Sequence, residues 1–390
     1  MRVALTQETQ TLRAEMIRLE TEALKTIDPA RKVKLFEQAL EKARAARDAE
    51  SEASLLQNLG EATQMLDLNL ALSYFQQTQT VAHALPSPGR EAYALRGQAA
   101  TYTTLRQKAK AIVALQEGVR LYGTVTDKAG RAGFLTACAY TYLNLGEIAQ
   151  ALKHLEQAEQ LSREVGDLRG AATARNIHGE LYRRTNQNQK ALENAQVLLS
   201  LHRALKDSPE EVIDTIAIAH LYAQQGEAQK ALGYFLEALR LGQAYAQSML
   251  VAKVLSEIGS LYESEGDFAN ALHYSQEALQ LFHMLNQKTS LAWQYGKLGI
   301  LWAHLKQPEK ALTSLKEALQ LNEALKLKAQ TGETHQQFGE VYQQLGQPQK
   351  ALASYQRALA LQRAAGDPLG EATTLTHLAE LYQEKQPALA

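Results

Sequence analysis

Apolar residues along this chain recur at i, i+3, i+4 and i+7, as in ALTSLKEALQLNEAL from Ala311, which is helix periodicity rather than strand alternation. The pattern itself repeats. Tyr102, Tyr142, Tyr182, Tyr222, Tyr262, Trp302, Tyr342 and Tyr382 place one large aromatic every 40 residues. Ala-Leu pairs keep the same step, beginning at Ala71, Ala151, Ala191, Ala231, Ala271, Ala311 and Ala351, with Ala111-Ile112 in the remaining place. Eight units therefore share one phase. Self-similarity at this period marks a solenoid, in which each unit buries its apolar face only by stacking on its neighbours.

Breaks in the periodicity divide each unit into two helices. Gly146, Asn186, Gly226, Gly266 and Gly346 mark the break within a unit, with one period skipped at Lys306. Gly and Asn are the residues that most easily take positive φ after a helix end. Asp127, Asp167, Asp207 and Asp367 mark the break between units, each suited to accept hydrogen bonds from the free N–H groups of the next helix. Pro308 and Pro348 open second helices, and Pro29, Pro209 and Pro368 open others near the first helical position, where a missing N–H costs nothing. None of the eight prolines falls mid-helix.

The layout that follows is all-α, a right-handed superhelical solenoid of antiparallel helix pairs with about nineteen helices. Residues 1–48 form an N-terminal helical pair, at about 4–26 and 29–48, that is a degenerate repeat or cap. KLFEQALEKARAARD from Lys34 resembles a second helix one residue out of phase. Residues 49–390 form the solenoid, ending in an unpaired helix from about Gly370 to Gln383 followed by EKQPALA. A lone final helix suits either a shield for the preceding repeat or a chain that continues into another domain. The early units are irregular: the Gly60 to Ala71 step is one residue short, Gln98 sits at a normally apolar position, and Arg106 stands where glycine usually ends the helix.

Composition adds exclusions. Net charge is −1, with 45% hydrophobic and 21% charged residues, so the concentrated basic face that nucleic acid or a membrane surface requires is lacking, and neither is expected as a partner. Cys138 is the single cysteine, which rules out an intramolecular disulfide and argues against a cysteine-based metal site. The N-terminus lacks the apolar stretch of a secretory signal and other apolar runs fall short of a membrane span, so a cytoplasmic location is expected.

VLSEIGSLYESEGDFANAL, Val254 to Leu272, carries a hydrophobic-Gly-x-x-Tyr step, then Gly, then Ala-Leu, and resembles the tetratricopeptide repeat. The likeness spans about residues 50–385. Its glycine is Gly179, Gly259, Gly299 and Gly339, its small second-helix residue Ala231 or Ala271, and its later alanine Ala158, Ala238, Ala278, Ala318 and Ala358. The 40-residue period is longer than the common 34-residue form, and GDLRGAATARNIHGELY from Gly166 and GDPLGEATTLTHLAELY from Gly366 resemble the longer-repeat branch. That branch, as the resemblance implies, includes spindle-orientation adaptors, kinesin light chains and sensor portions of bacterial signalling proteins, all of which bind proteins or peptides. In the spindle adaptors an Asn before the Leu-Gly step grips peptide backbone; Asn58 alone keeps that place here, and Glu257, Lys297, Gln337 and His377 stand at the corresponding positions.

The search for chemistry returns little. No glycine-rich phosphate loop, His-Glu-x-x-His, calcium loop or nucleophile elbow is present, and the ten histidines are scattered singly. No catalytic residue, cofactor or metal is expected, and the chain is read as a non-enzyme. Glu333, Glu340, Glu371 and Glu380 gather on the first helices of the last units, a solvated acidic face or a contact for a basic partner segment. If first helices line the concave side, as the resemblance implies, candidate peptide-binding residues are Arg96, Tyr140, Asn176, Glu180, Arg184, His220, Lys253, Trp293, His304, Gln336 and Glu340. Among them Trp293 is the candidate anchor, Asn176 and Arg184 a candidate clamp for peptide backbone or carboxylate, whereas Trp302 in the aromatic slot is assigned to the core. The expected function is a protein- or peptide-binding scaffold using a concave groove; the alternative is the sensory or regulatory portion of a larger signalling or transcription-regulating protein. The sequence does not settle oligomeric state.

Overall fold

The computed structural model describes residues 7–385, which contain nineteen helices and no strand. They group into two compact units, residues 1–201 and 202–390. The first holds α1 (Gln7–Lys25), α2 (Pro29–Ala45), α3 (Ala49–Thr63), α4 (Leu68–His83), α5 (Pro88–Thr104), α6 (Lys108–Tyr122), α7 (Lys128–Asn144), α8 (Ile148–Glu164), α9 (Leu168–Arg184) and most of α10 (Asn188–Leu205). The second holds α11 (Ser208–Gln224), α12 (Ala228–Ala244), α13 (Ser248–Ser264), α14 (Phe268–Met284), α15 (Lys288–His304), α16 (Pro308–Ala324), α17 (Lys328–Gln344), α18 (Pro348–Ala365) and α19 (Pro368–Lys385). The expected start of the first helix at residue 4 and the last five residues of the EKQPALA tail lie outside the described residues. Within each unit, a first helix packs on the second helix that follows it and on the first helix of the next repeat, as α15 does on α16 and α17.

Turn chemistry sets the period. From Gly146 to Gly366 a residue with φ between +52° and +77° recurs every 20 residues. Glycine fills six of these places, but Asn186, Lys206, Ala246, Asn286, Lys306 and Lys326 fill the others. The skipped glycine at Lys306 is therefore no irregularity of backbone; the lysine takes φ 56° in the same turn, and Arg106 takes φ 57°. The next N–H then bonds back five residues, as Gln307 to the Trp302 carbonyl at 2.8 Å, which satisfies an orphan carbonyl of the helix end. Helix starts are less uniform. The Asp167 and Asp367 carboxylates accept from the N–H groups of Gly170 (2.9 Å) and Gly370 (3.0 Å), whereas Asp127 and Asp207, expected to do the same, make no such bond. Asp28, Asp48, Asp67 and Asp267 cap their helices instead.

Small residues let the paired helices close. Ala71, Ala111, Ala151, Ala231, Ala271, Ala311 and Ala351 are fully buried, as are Ala158, Ala238, Ala278, Ala318 and Ala358. A Cβ on Gly299 would stand 2.5 Å from Leu315 Cδ2, and one on Gly339 would run into the Tyr355 ring, so both are glycines of close approach. The repeat aromatics behave differently from expectation. Tyr142 is buried, but Tyr102, Tyr182, Tyr222, Tyr262, Tyr342 and Trp302 are half-buried and Tyr382 is 53% exposed. They lie at the ends of first helices, where a lysine eight residues on covers the ring: Lys110 over Tyr102, Lys190 over Tyr182, Lys230 over Tyr222, Lys310 over Trp302 (4.4 Å) and Lys350 over Tyr342. Each such contact contributes about 0.5–1 kcal/mol at an exposed site. Trp302 is thus half-buried: it packs against the cluster of Ala303, Ala311, Leu315, Phe338 and Val341 and lies under Lys310.

Among the described residues the first unit holds two large apolar clusters. One joins α1 and α2 to α3 and α4 through Met16, Leu19, Phe36, Leu56 and Tyr74. The other runs from α5 to α9 and includes Cys138, whose thiol burial pushes up to about 12, leaving it inert as a nucleophile. Its centre is aromatic: Tyr122 stacks on Phe134 at 4.5 Å, with Tyr93 edge-on to both. Beside it the buried Glu159 carboxylate takes Arg175 Nε at 2.8 Å and also pairs with Arg163.

Candidate binding cleft

In the second unit α13, α15 and α17 line a cleft of about 490 Å³. Its walls carry Lys253, Ser256 and Glu257 from α13; Trp293, Gly296, Lys297 and Ile300 from α15; and Gln330, Glu333, Thr334 and Gln337 from α17. Phe282 and Asn322 reach it from the second helices α14 and α16. The 40-residue step places Lys253, Trp293 and Glu333 in one row, and Glu257, Lys297 and Gln337 in the next.

Beneath the rim lies a polar layer. Ser256 Oγ donates to Gln294 Oε1 at 2.6 Å, and Gln294 Nε2 donates to the Ser275 carbonyl at 3.0 Å, which satisfies a glutamine with no exposed surface. Lys297 is 9% exposed; its ammonium donates to the Ser256 carbonyl and to Ser260 Oγ and lies 3.7 Å from Glu263. Burial holds this ammonium below the usual lysine range, partly offset by Glu263 and Glu257. Its charge also stands 4.9 Å from the Trp293 ring centre. Trp293 itself is 47% exposed.

Two of the eleven candidate residues meet in this cleft, Lys253 and Trp293. Gln336 and Glu340 are elsewhere on α17: Gln336 donates to Glu340 at 3.1 Å and accepts from Thr374 at 3.0 Å, and Glu340 lies 3.3 Å from His377. Gln336 is therefore occupied in joining α17 to α19. His220 stands edge-on to Phe235 and 3.7 Å from Glu257. His304 stacks flat on Phe268, centre to centre 4.4 Å, beside a separate depression formed with Lys306, Pro308 and Gln344.

The remaining five belong to the first unit. Arg96 lies 3.6 Å from Glu61 and over Tyr93, Tyr140 is 50% exposed, and Asn176 is exposed. Arg184 donates to Glu180 at 2.7 Å and to Asn144 at 3.1 Å. The expected Asn176–Arg184 clamp is thus half taken, because the guanidinium already has a carboxylate one turn back. Glu257, Lys297 and Gln337 were legible only as departures from the family's asparagine; Gly296 and the second-helix contributors carried no signal that the repeat pattern alone could single out. Among the described residues no cluster of His, Cys, Asp or Glu could hold a metal ion, and no helix is long and apolar enough to cross a membrane.

Tetratricopeptide repeat models match residues 211–283, 250–324, 289–364 and 330–390, and a further one matches 133–165. The chain belongs to the tetratricopeptide repeat family. Its fold is similar to that of a signal transduction ATPase with numerous domains from Pyrococcus horikoshii, described as carrying a tetratricopeptide repeat sensor: TM-score 0.52, 18% identity, over 100% of this chain and 54% of that one. It is also similar to BtubC from P. vanneervenii, with TM-score 0.51 and 23% identity over 56% of this chain and 91% of that one. The chain thus spans about half the length of the archaeal protein. No curated protein matches the sequence.

Proposed function

We propose that the second unit is a non-catalytic binding module whose cleft holds an extended segment of a partner polypeptide, in the cytoplasm. The observation that carries this reading is the half-exposed Trp293 set in a concave wall of polar and apolar side chains from three first helices. A tryptophan left accessible in a concavity is the kind of residue that dominates binding energy once an interface closes over it. A groove built by the fold also carries its ordering cost at folding rather than at binding.

A photocrosslinking residue in place of Lys253, at the cleft, is compared with one in place of Glu317, exposed on the second helix α16. Capture of a polypeptide from Lys253 alone is the expected outcome. Equal capture at both, or capture from Glu317 only, would sink the reading. A second reading, that this chain is the sensory portion of a larger signalling protein, is favoured by its likeness over its whole length to a protein described as bearing such a sensor. It is tested by asking whether the native chain carries an output domain whose activity changes when the cleft is filled.

A further inference from the structure

We propose that the cleft of the second unit receives an arginine side chain of the bound polypeptide, its guanidinium held by the Glu333 carboxylate and the Gln337 side-chain oxygen against the Trp293 ring. The proposal rests on the peptide-binding reading above and names what that cleft recognises.

Gln337 is the first observation. It is 8% exposed and lines the cleft, yet its Oε1 is shielded from solvent and has no donor among the described residues. A buried acceptor left without a donor is costly, and a ligand N–H removes that cost. Glu333, one turn earlier on the same wall, is the second. Of the glutamates gathered on the last first helices, Glu340 and Glu380 lie within 3.3 and 3.5 Å of His377 and Glu371 lies 2.7 Å from Arg363, whereas Glu333 forms no ion pair among the described residues. Glu333 stands at the exposed edge of the cleft, where the protein crowded around it, reinforced by the charges of Asp367 and Glu340, pushes its carboxyl up; it is the carboxylate of a wall otherwise made of the amides of Gln330 and Gln337 and the Thr334 hydroxyl.

Gly296 on the opposing wall is the third. At the equivalent place in other repeats stand Asn176, Ile216, Ser256 and Gln336. A Cβ on Gly296 would meet only the end of the Gln337 amide, at 3.3 Å, so helix packing does not demand a glycine here as it does at Gly299. A glycine inside a helix weakens it. What this one leaves is the space a side chain would take at the mouth of the cleft, against the Gln337 amide and one turn from Trp293, so that a small movement of that amide exposes its oxygen to a ligand. A planar guanidinium can stack on an indole while its N–H fork addresses a carboxylate and an amide oxygen, which an ammonium does less well.

Two resident cations bear on the assignment. Lys297 is engaged on the α13 side, where its ammonium donates to the Ser256 carbonyl and Ser260 Oγ and lies 3.7 Å from Glu263; its charge also stands 4.9 Å from the Trp293 ring centre, so an arriving guanidinium uses the ring surface this ammonium leaves open. Lys253 stands exposed at the rim and repels an arriving cation, so its removal raises affinity, by about twofold to threefold at low salt.

The test passes a positional-scanning library of unstructured nonapeptides over the full chain and sequences what is retained. Arginine enriched at one register is expected, with affinity of the selected peptide falling about tenfold on arginine-to-citrulline replacement, in Glu333→Gln and in Gly296→Met. Retention without a basic preference, lysine serving as well as arginine, or an arginine preference unchanged by Glu333→Gln would overturn the proposal while leaving the peptide-binding reading intact. Retention of nothing would overturn both. Should Gly296→Met fail to fold, Glu333→Gln, a change at an exposed position, decides alone.

Discussion

One slot of the repeat is filled by opposite chemistries in the two units. A second-helix residue and the first-helix residue twelve positions on meet across the turn between repeats. In the first unit its largest occupants are Tyr122 and Phe134, stacked at 4.5 Å, with Ala82 and Ala94 or Ser162 and Ala174 at the other places in register. In the second unit three of the five places in register hold polar pairs, His202 and Asp214 (2.6 Å), Asn322 and Thr334 (3.1 Å), and Gln362 and Thr374 (2.8 Å), all buried, while Gly242 with Val254 and Phe282 with Gln294 hold the other two. The slot therefore demands occupancy rather than one kind of residue. The two solutions differ in what they cost when disturbed: an apolar pair loses area and leaves a cavity, whereas a polar pair leaves a stranded donor or acceptor.

The largest effect follows from the apolar version. Phe134→Ala removes a fully buried ring that Tyr93 and Tyr122 both contact, and is expected to lower stability by about 3–5 kcal/mol. Hydrogen exchange of α5 to α8 reads it, since the loss should appear there rather than in α15 to α18. A loss under 1.5 kcal/mol would mean that the aromatic centre collapses around the gap and is not what holds this unit.

Acid separates the units by sign. In the first, burial and the Arg175 charge push His178 down to about 4 from its ordinary 6.5. Its stability contribution is present above pH 6.5 and lost as pH falls toward 4, roughly 3 kcal/mol in full. In the second, burial outweighs the His202 hydrogen bond and pushes Asp214 up to about 6 from 3.8. That contribution is complete below pH 3.8 and lost as pH rises through about 6. Between pH 7 and 5, His178→Leu should therefore remove an acid-induced weakening around α9, and Asp214→Asn an acid-induced strengthening around α11. Shifts of the same sign in both variants would refute the comparison.

The polar version sharpens next. Thr334→Val leaves the Asn322 amide without its acceptor and should cost about 1–3 kcal/mol. Asn322→Leu in the same chain should recover most of that, because two apolar partners strand nothing. A double-mutant cycle on thermal unfolding checks it. Additive losses would show that the pair is two separate space-filling residues.

Period, phase and helix number were legible in the chain because the same apolar and small residues must return wherever two helices close, as at Ala231, Ala271 and Ala311. The cleft was legible only in part. Lys253 and Trp293 follow from their place before the repeat aromatic, but Gly296 is informative only once its neighbours are known, because a glycine needed for packing and one that opens space look alike in sequence. Arg184 and Gln336 each have one partner that a helix pattern suggests, Glu180 and Glu340 four residues away, and one that it does not, Asn144 and Thr374, 40 and 38 residues away. The aromatic series gave the period, and its rings do pack on the core clusters, but most are only half-buried, since a ring at a helix end can lie under a lysine as well as against the core.

The smallest effect concerns the turns that keep the period. Gly226 and Ala246 occupy successive turns of the second unit with φ of 76° and 54°. Only glycine adopts this region without a steric penalty. A Cβ on Gly226 would meet nothing within 4 Å, so conformation alone decides its identity. Gly226→Ala should therefore destabilise by about 1 kcal/mol, and Ala246→Gly should stabilise by about 0.5–1 kcal/mol after the greater freedom of the unfolded glycine is set against the relief of strain. Thermal unfolding of the two variants beside the parent measures both. Destabilisation by Ala246→Gly would mean that the alanine side chain contributes packing that outweighs its backbone cost, and that the turns of this solenoid are not interchangeable.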